Sequence, residues 1–147
     1  MATVLKNARF KGDQKDRNII NYELVFVPII WTRHFYVVCF NIKHHRVDVL
    51  DNSAVEDKLS IKDKYDGWVE KMHTAFANYL RLKKHLKHKI MKWAPVVKQK
   101  MEWRTTPNVV DCGIFTMRHM ETYMGHIVGW TCGLTKEDAS NQLRKDS

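Results

Sequence analysis

The sequence contains little cysteine and no long apolar run, and both shortages narrow the class of protein. Only three of the 147 residues are cysteines, and an odd number without paired spacing argues against a disulfide framework: Cys39, Cys112 and Cys132. No apolar run approaches the ~20 residues that span a bilayer, and the N-terminus is too polar for a secretory signal peptide. We therefore expect an intracellular protein, nuclear or cytoplasmic, without a membrane partner.

Acidic residues are also scarce relative to basic ones. The chain has 16 Asp and Glu against 25 Lys and Arg, which gives a formal net charge of +9. This excess favours a partner that is itself acidic, whether nucleic acid, an anionic surface or a protein, and it does not choose among them. The length suits one domain, and a hydrophobic content of 44% is enough for a core of ordinary size.

Three short apolar runs in the first third of the chain predict strands. The first, 24–30, is rich in β-branched residues, and its Pro28 favours an edge position or a bend. The second, 34–42, is apolar nearly throughout, which is typical of a central strand covered on both faces. The third, 46–51, alternates as a half-buried strand does, and the polar turn at 43–45 joins the last two runs into a hairpin.

Helical periodicity follows in residues 67–90. Their apolar residues recur at helical spacing and predict a long amphipathic helix, either continuous or broken near its basic end and stopped by Pro95. The stripe consists of Trp68, Met72, Phe76, Tyr79, Leu82, Leu86 and Ile90. Residues 96–103 then return to strand-like composition.

A second helix opens at Cys112, and Gly125 marks its stop. Its apolar face carries Ile114, Phe115, Met117, Met120 and Met124. We divide the chain into a polar N-terminal segment 1–23, a core 24–125 and a polar, partly disordered tail 126–147. The predicted class is α+β, with a central mixed or antiparallel sheet flanked by helices.

Cys112 has the setting of a nucleophile. A helix N-terminus favours thiolate over thiol, and its unpaired N–H groups can hold an oxyanion, while Gly113 allows a substrate backbone to come close. Such a Cys needs a His base and a carboxylate that orients it. His34 opens the most apolar strand and Asp51 closes the next, so an antiparallel hairpin brings them together at one edge of the sheet. From these residues alone, a buried small Cys and a turn-forming Asp are the favoured interpretation, and the nucleophile is the alternative.

The segment from "VFVPIIWTRHFYVVCF" to "DCGIFTMRHMETY" resembles the catalytic core of the ubiquitin-like-protein-specific cysteine proteases of the SUMO (sentrin-specific) type, which include many plant and transposon-associated members. His34 matches the His of the family's His-Trp pair, and Asp51 matches its Asp. The family's nucleophile motif is matched by Asn108, Asp111, Cys112 and Gly113. The resemblance implies the C-terminal part of a papain-like fold, a thiol peptidase or isopeptidase without a cofactor, and a ubiquitin-like partner.

Two departures from the family pattern favour weakened activity. Thr106 occupies the position of the oxyanion-hole Gln, and loss of one such donor costs about a hundred- to a thousandfold in turnover. Gln99 is too far along the preceding strand to replace it. Nothing before Leu24 resembles the family's "W-L-x-D" portion, so the chain looks shortened relative to the family. The alternative function is therefore a degenerate protease remnant that binds a ubiquitin-like protein or nucleic acid.

The remaining signals are weaker. Residues 83–92 form a basic run that contains Lys83, Lys84, Lys87, Lys89 and Lys92. The run is interpreted either as a solvated helix face or as a contact for nucleic acid or an acidic protein. His85 and His88 lack Cys or carboxylate partners, and we expect no metal site. Trp31 and Phe35 flank His34 as candidate walls of a substrate groove, with core packing the default for Phe35.

Overall fold

A four-stranded mixed sheet forms the centre of the molecule. The computed structural model describes residues 18–31, 34–54, 57–104, 112–135 and 137–138, with the backbone alone at Trp31 and Cys112. The strands lie side by side in chain order: β1 (Leu24–Trp31), β2 (His34–Asn41), β3 (Arg46–Leu50) and β4 (Val96–Lys98). The first three strands are antiparallel neighbours, and β4 runs parallel to β3. The predicted α+β class with a mixed sheet is confirmed.

The individual strands follow the sequence pattern with two corrections. β1 lies at the edge of the sheet, where the missing N–H of Pro28 is tolerated, and β2 is central. β3 is not half-buried as predicted, because β2 and β4 flank it and both of its faces are covered, so that even Asp48 is fully buried. β4 ends at Lys98 rather than continuing to Trp103.

Four helices are described: α1 (Ile61–Lys64), α2 (Trp68–Leu82), α3 (His88–Lys92) and α4 (Cys112–Thr122). The long helix predicted over 67–90 is broken between α2 and α3. Lys84 adopts a left-handed φ of 56°, and the His85 N–H donates to the Leu80 carbonyl at 2.9 Å. This is a helix-ending arrangement in which a left-handed residue lets the next N–H reach back to a free carbonyl. None of the described helices is long and apolar enough to cross a membrane.

The break also corrects the predicted apolar stripe. Leu82, the last residue of α2, is 70% exposed. Leu86 and Ile90 are 97% and 48% exposed, because the helical period no longer applies once α2 has ended. Met91 of α3 is buried instead.

The sheet is covered on both faces, and the alternation of strand side chains decides which residues face each layer. One face carries Val38 and Phe40 of β2 and packs against α2, chiefly through Phe76. The opposite face carries Val37 and Cys39 and packs against the C-terminal part of α4 and the residue that follows it: Met120 and Tyr123. The layers over the two faces are therefore distinct.

Residues beyond α4 contribute to the packing. α4 ends at Thr122, ahead of the predicted stop at Gly125, and its predicted apolar residues Met117 and Met124 are exposed. A cluster joins residues before, within and after the helix: Met101, Trp103, Phe115, Ile127, Trp130, Cys132 and Leu134. Apolar packing thus continues past Gly125, where the sequence placed the end of the core. Ile19, from the N-terminal segment, is buried in the main core.

Candidate active site

His34 and Asp51 meet at the end of the sheet where β2 begins and β3 has just ended. The His34 Nε2 atom lies 2.9 Å from the Asp51 Oδ1 atom. Asp51 is fully buried, whereas the His34 side chain is 21% exposed. The contact expected from the hairpin is therefore present, and its imidazole end is the one open to solvent.

The Asp51 carboxylate is fixed by groups besides His34. Its Oδ1 accepts the Ser53 N–H at 2.9 Å, and its Oδ2 accepts the Tyr65 hydroxyl at 2.6 Å. The Lys64 ammonium lies 3.5 Å from Oδ2. Burial by itself raises the pKa of Asp51, but the hydrogen bond and charge of His34, the Tyr65 hydroxyl and the Lys64 charge together lower it below its ordinary value. Asp51 is thus held as an anion that orients the imidazole.

Two cations clamp the backbone that carries Asp51. The Arg104 guanidinium donates to the Asp51 carbonyl at 3.0 Å and to the Ser53 carbonyl at 2.9 Å. The Lys64 ammonium donates to the same Ser53 carbonyl at 3.1 Å. Both cations are nearly buried, with side chains 7% and 5% exposed.

Asp57 supplies the counter-charge for this clamp. Its Oδ1 accepts from Arg104 at 2.6 Å and from Lys64 at 3.0 Å, and it also contacts the Lys98 ammonium. Partial burial raises the pKa of Asp57, but its three cationic donors outweigh burial and hold that pKa far below the ordinary range. The carboxylate therefore stays ionised and keeps the cations beneath the Asp51 loop.

The direction of α4 is fixed by contacts at its C-terminal end. The Tyr123 hydroxyl donates to Asp48 Oδ2 at 2.7 Å, and the Gly125 carbonyl accepts from both Asn41 and Arg46 at 2.7 Å. Asn41 and Arg46 flank the hairpin turn. Because an 11-residue helix is about 16 Å long, α4 begins well away from that turn. Cys112 is the first residue of α4.

Several predicted site residues lie outside the described part of the chain: Thr106, Asn108 and Asp111, with the side chains of Trp31 and Cys112. Gly113 is partly buried in the first turn of α4, and Phe35 is partly buried near the start of β2. Gln99 donates to Asp48 at 3.0 Å and is committed there.

His85 and His88, the two histidines considered as a metal pair, differ in their surroundings from a metal site. His85 is buried, and its Nδ1 accepts the Lys87 N–H at 3.0 Å. Across the described ranges, no group of three or more His, Cys, Asp or Glu is placed to hold a metal ion.

Sequence reasoning missed the residues that support Asp51. Tyr65, Lys64, Asp57 and Arg104 come from a loop, the α1 region and the segment after β4, so their meeting is a product of the tertiary fold. Only the local Asp51–Ser53 turn had a signal, since Asp side chains commonly accept the N–H two residues on.

The architecture and the comparisons agree on the class of protein. An α+β fold in which a Cys-initiated helix packs on a mixed sheet, with an Asp-bound His at the sheet end, is the papain-like fold of cysteine peptidases. A family model described as the Ulp1 protease family, C-terminal catalytic domain, matches residues 6–146, and the chain belongs to that family. Searches of curated proteins and of solved structures each gave no significant match.

Proposed function

We propose that this chain is a thiol-dependent peptidase or isopeptidase that cleaves after the C-terminal glycines of a SUMO-like modifier. The observation that carries the proposal is the His34–Asp51 pair, in which a buried carboxylate holds a partly exposed imidazole at 2.9 Å. Family membership supports the reaction class and a ubiquitin-like protein as the kind of partner. Cys112 is the proposed nucleophile, and its position as the first residue of α4 supports that role.

The reaction follows from these groups. His34 takes the thiol proton, and the Cys112 thiolate attacks the carbonyl carbon of the modifier's last glycine, forming a C–S bond. The protonated imidazole then gives its proton to the leaving amine as the C–N bond breaks. Water hydrolyses the thioester, with His34 acting again as base. Asp51 keeps the ring in one orientation and stabilises its charged form.

The oxyanion donors are the weaker part of the proposed centre. The Cys112 N–H lies in the first turn of α4, where backbone N–H groups have no partner within the helix. The second family donor is replaced by Thr106, whose shorter side chain favours slow turnover. The substrate's extended tail is proposed to lie beside Trp31, Phe35 and Gly113.

The test is reaction of the full chain with glycine-vinyl-sulfone derivatives of several ubiquitin-like proteins. A covalent adduct that Cys112→Ser abolishes and His34→Ala slows would support the proposal. Thr106→Gln should raise cleavage of a ubiquitin-like fusion by about tenfold or more, within the range of one oxyanion donor. Cys112→Ser in the Thr106→Gln background is the matched control.

A degenerate protease remnant is the second candidate, and Thr106 is the observation that favours it. Binding of a ubiquitin-like protein without any adduct, in the native chain and in Thr106→Gln alike, would establish a binding protein and overturn the peptidase proposal.

A further inference from the structure

The positive charge of the chain is concentrated in one segment. Residues 71–101 contain nine of the 25 Lys and Arg and none of the 16 Asp and Glu, so the remaining residues have 16 of each and no net charge. This segment includes most of α2, all of α3 and β4. The whole formal charge of +9 therefore lies in the helical layer on one side of the sheet and the strand beside it.

A groove of about 260 Å³ lies between α2 and α3 in this basic layer. One wall is a face of α2, and the other is formed by α3 and the residue after it. The lining residues are His73, Thr74, Ala77, Asn78, Arg81, His88, Lys92 and Trp93. His73 Nε2 donates to the Met91 carbonyl at 2.6 Å, which ties the walls together, so the groove is held by the fold.

An exposed aromatic ring stands at this groove beside a cation. The Trp93 side chain is 80% exposed, and the Lys92 ammonium lies 5.3 Å from its ring centroid. An exposed indole next to a positive charge can stack on a planar ring while the cation contacts a negative group attached to that ring. The groove volume is near the lower end for small-molecule pockets, about 300 Å³, and therefore suits one nucleotide unit at a time.

We propose that the α2–α3 groove binds single-stranded nucleic acid, with a base stacked on Trp93 and phosphates held by Arg81 and Lys92. Single strands are bound by basic grooves with aromatic platforms, which is the combination of features found here. Of the basic residues predicted from the sequence, Lys92 lines the groove, while Lys83, Lys84 and Lys89 lie exposed nearby and extend the positive surface.

The groove is separate from the proposed catalytic centre. α2 covers the face of the sheet that carries Phe40, whereas α4 packs on the face that carries Val37 and Cys39. Variants in the groove should therefore leave the reaction of Cys112 with a small thiol reagent unchanged.

Binding of fluorescein-labelled dT12 and U12 to the full chain, followed by fluorescence anisotropy at 50 mM and 200 mM salt, tests the proposal. Trp93→Ala should weaken binding about 5- to 150-fold, the effect of losing one base–aromatic stack, and Trp93→Phe should retain most of it. Arg81→Ala with Lys92→Ala should lower the slope of log affinity against log salt by about 1.4, the contribution of two phosphate contacts on a single strand.

The matched control is Lys58→Ala with Lys62→Ala, which removes two exposed lysines outside the basic segment. Equal losses for the control and for Arg81→Ala with Lys92→Ala would overturn the proposal, as would Trp93→Ala binding like the native chain. Absence of binding at 50 mM salt would also overturn it. Displacement of the oligonucleotide by poly-glutamate of equal charge at equal concentration would identify an acidic protein site instead.

Discussion

Asp48 and Asp51 are both fully buried carboxylates of the same strand region, yet they serve opposite ends of the sheet. Asp48 is surrounded by permanent structural donors: Asn41, Arg46, Gln99 and Tyr123. Asp51 also accepts structural donors, but one of its partners is an imidazole that reaches solvent. Burial and hydrogen bonding are shared features, so the accessibility of the partner distinguishes the two sites.

The two carboxylates also differ in what they hold together. Asp48 links β2, β3, the segment after β4 and the end of α4, so its loss should affect the assembly of layers. The Asp51 loop is held by a separate set of cations, whose charge Asp57 offsets. The Asp51 side chain is thereby free to act on His34 while other groups maintain the loop.

The largest expected effect is that of Asp51→Asn on catalysis. The amide still accepts hydrogen bonds, but it no longer stabilises a charged imidazole and allows the wrong tautomer. The analogous change in a serine protease triad costs about 10⁴-fold, and we expect a loss of that order here. The readout is the rate of Cys112 adduct formation with a modifier vinyl sulfone, alongside urea unfolding. A loss under tenfold would show that Asp51 does not orient a catalytic base.

Asp48→Asn is the matched change at the other carboxylate, and we expect it to act on stability. It leaves the partly exposed Arg46 without its partner charge, and loss of a hydrogen bond to a charged group costs about 1.5–3 kcal/mol. Urea unfolding measures the change in the free energy of unfolding, and the vinyl sulfone rate of the folded protein should remain native. A catalytic defect in a fully folded Asp48→Asn protein would contradict the division between the two sites.

A buried histidine in α4 should make the stability of the protein sensitive to acid. His119 of α4 is fully buried beside Trp103, whose indole N–H donates to His119 Nε2 at 2.9 Å. Burial lowers the pKa of His119 to about 4, although the Asp51 charge opposes that shift. The unfolded chain binds this proton near pH 6.5 and the folded chain only near pH 4, so the contribution of His119 is complete above pH 6.5 and is lost as the pH falls toward 4.

The loss in the free energy of unfolding that His119 causes is roughly 3 kcal/mol, from the difference between its pKa values in the unfolded and folded chain. Urea unfolding at a series of pH values should show this loss in the native chain and a flatter dependence in His119→Gln, which keeps an acceptor for Trp103. An equal slope for both proteins between pH 6.5 and 4 would assign the acid sensitivity to other groups.

Much of the sheet was predictable because its side-chain pattern is local. The three apolar runs become β1, β2 and β3, and the hairpin argument places His34 beside Asp51. The extent of α2 was less predictable, since a left-handed Lys84 follows the helix at a point where apolar residues continue at helical spacing. A break near the basic end was one of the two expected forms, but a lysine rarely adopts such a conformation, so the sequence does not indicate the residue at which the helix breaks.

The supporting shell of Asp51 could not be predicted for a different reason. Arg104 and Asp57 are 47 residues apart, and the pairing of β4 with β3 brings the segment that follows β4 beside the Asp51 loop. Their charges look like ordinary surface residues in the sequence. The buried His119 is similar, as a histidine in "TMRHMET" reads as a solvated helix residue until Trp103 and Trp130 enclose it.

The smallest and most selective comparison uses two tyrosines, one on each carboxylate. The Tyr65 hydroxyl donates to Asp51 at 2.6 Å, and the Tyr123 hydroxyl donates to Asp48 at 2.7 Å. Each Tyr→Phe change removes a hydrogen bond to a charged group and should cost about 1.5 kcal/mol in the free energy of unfolding. Tyr65→Phe should also slow Cys112 adduct formation, because one oxygen of Asp51 loses its donor and the carboxylate holds His34 less firmly. Tyr123→Phe should leave that rate unchanged. Equal rates for the two variants, at equal losses of stability, would show that His34 is held without help from the hydroxyl and that the two carboxylates differ only in their neighbours.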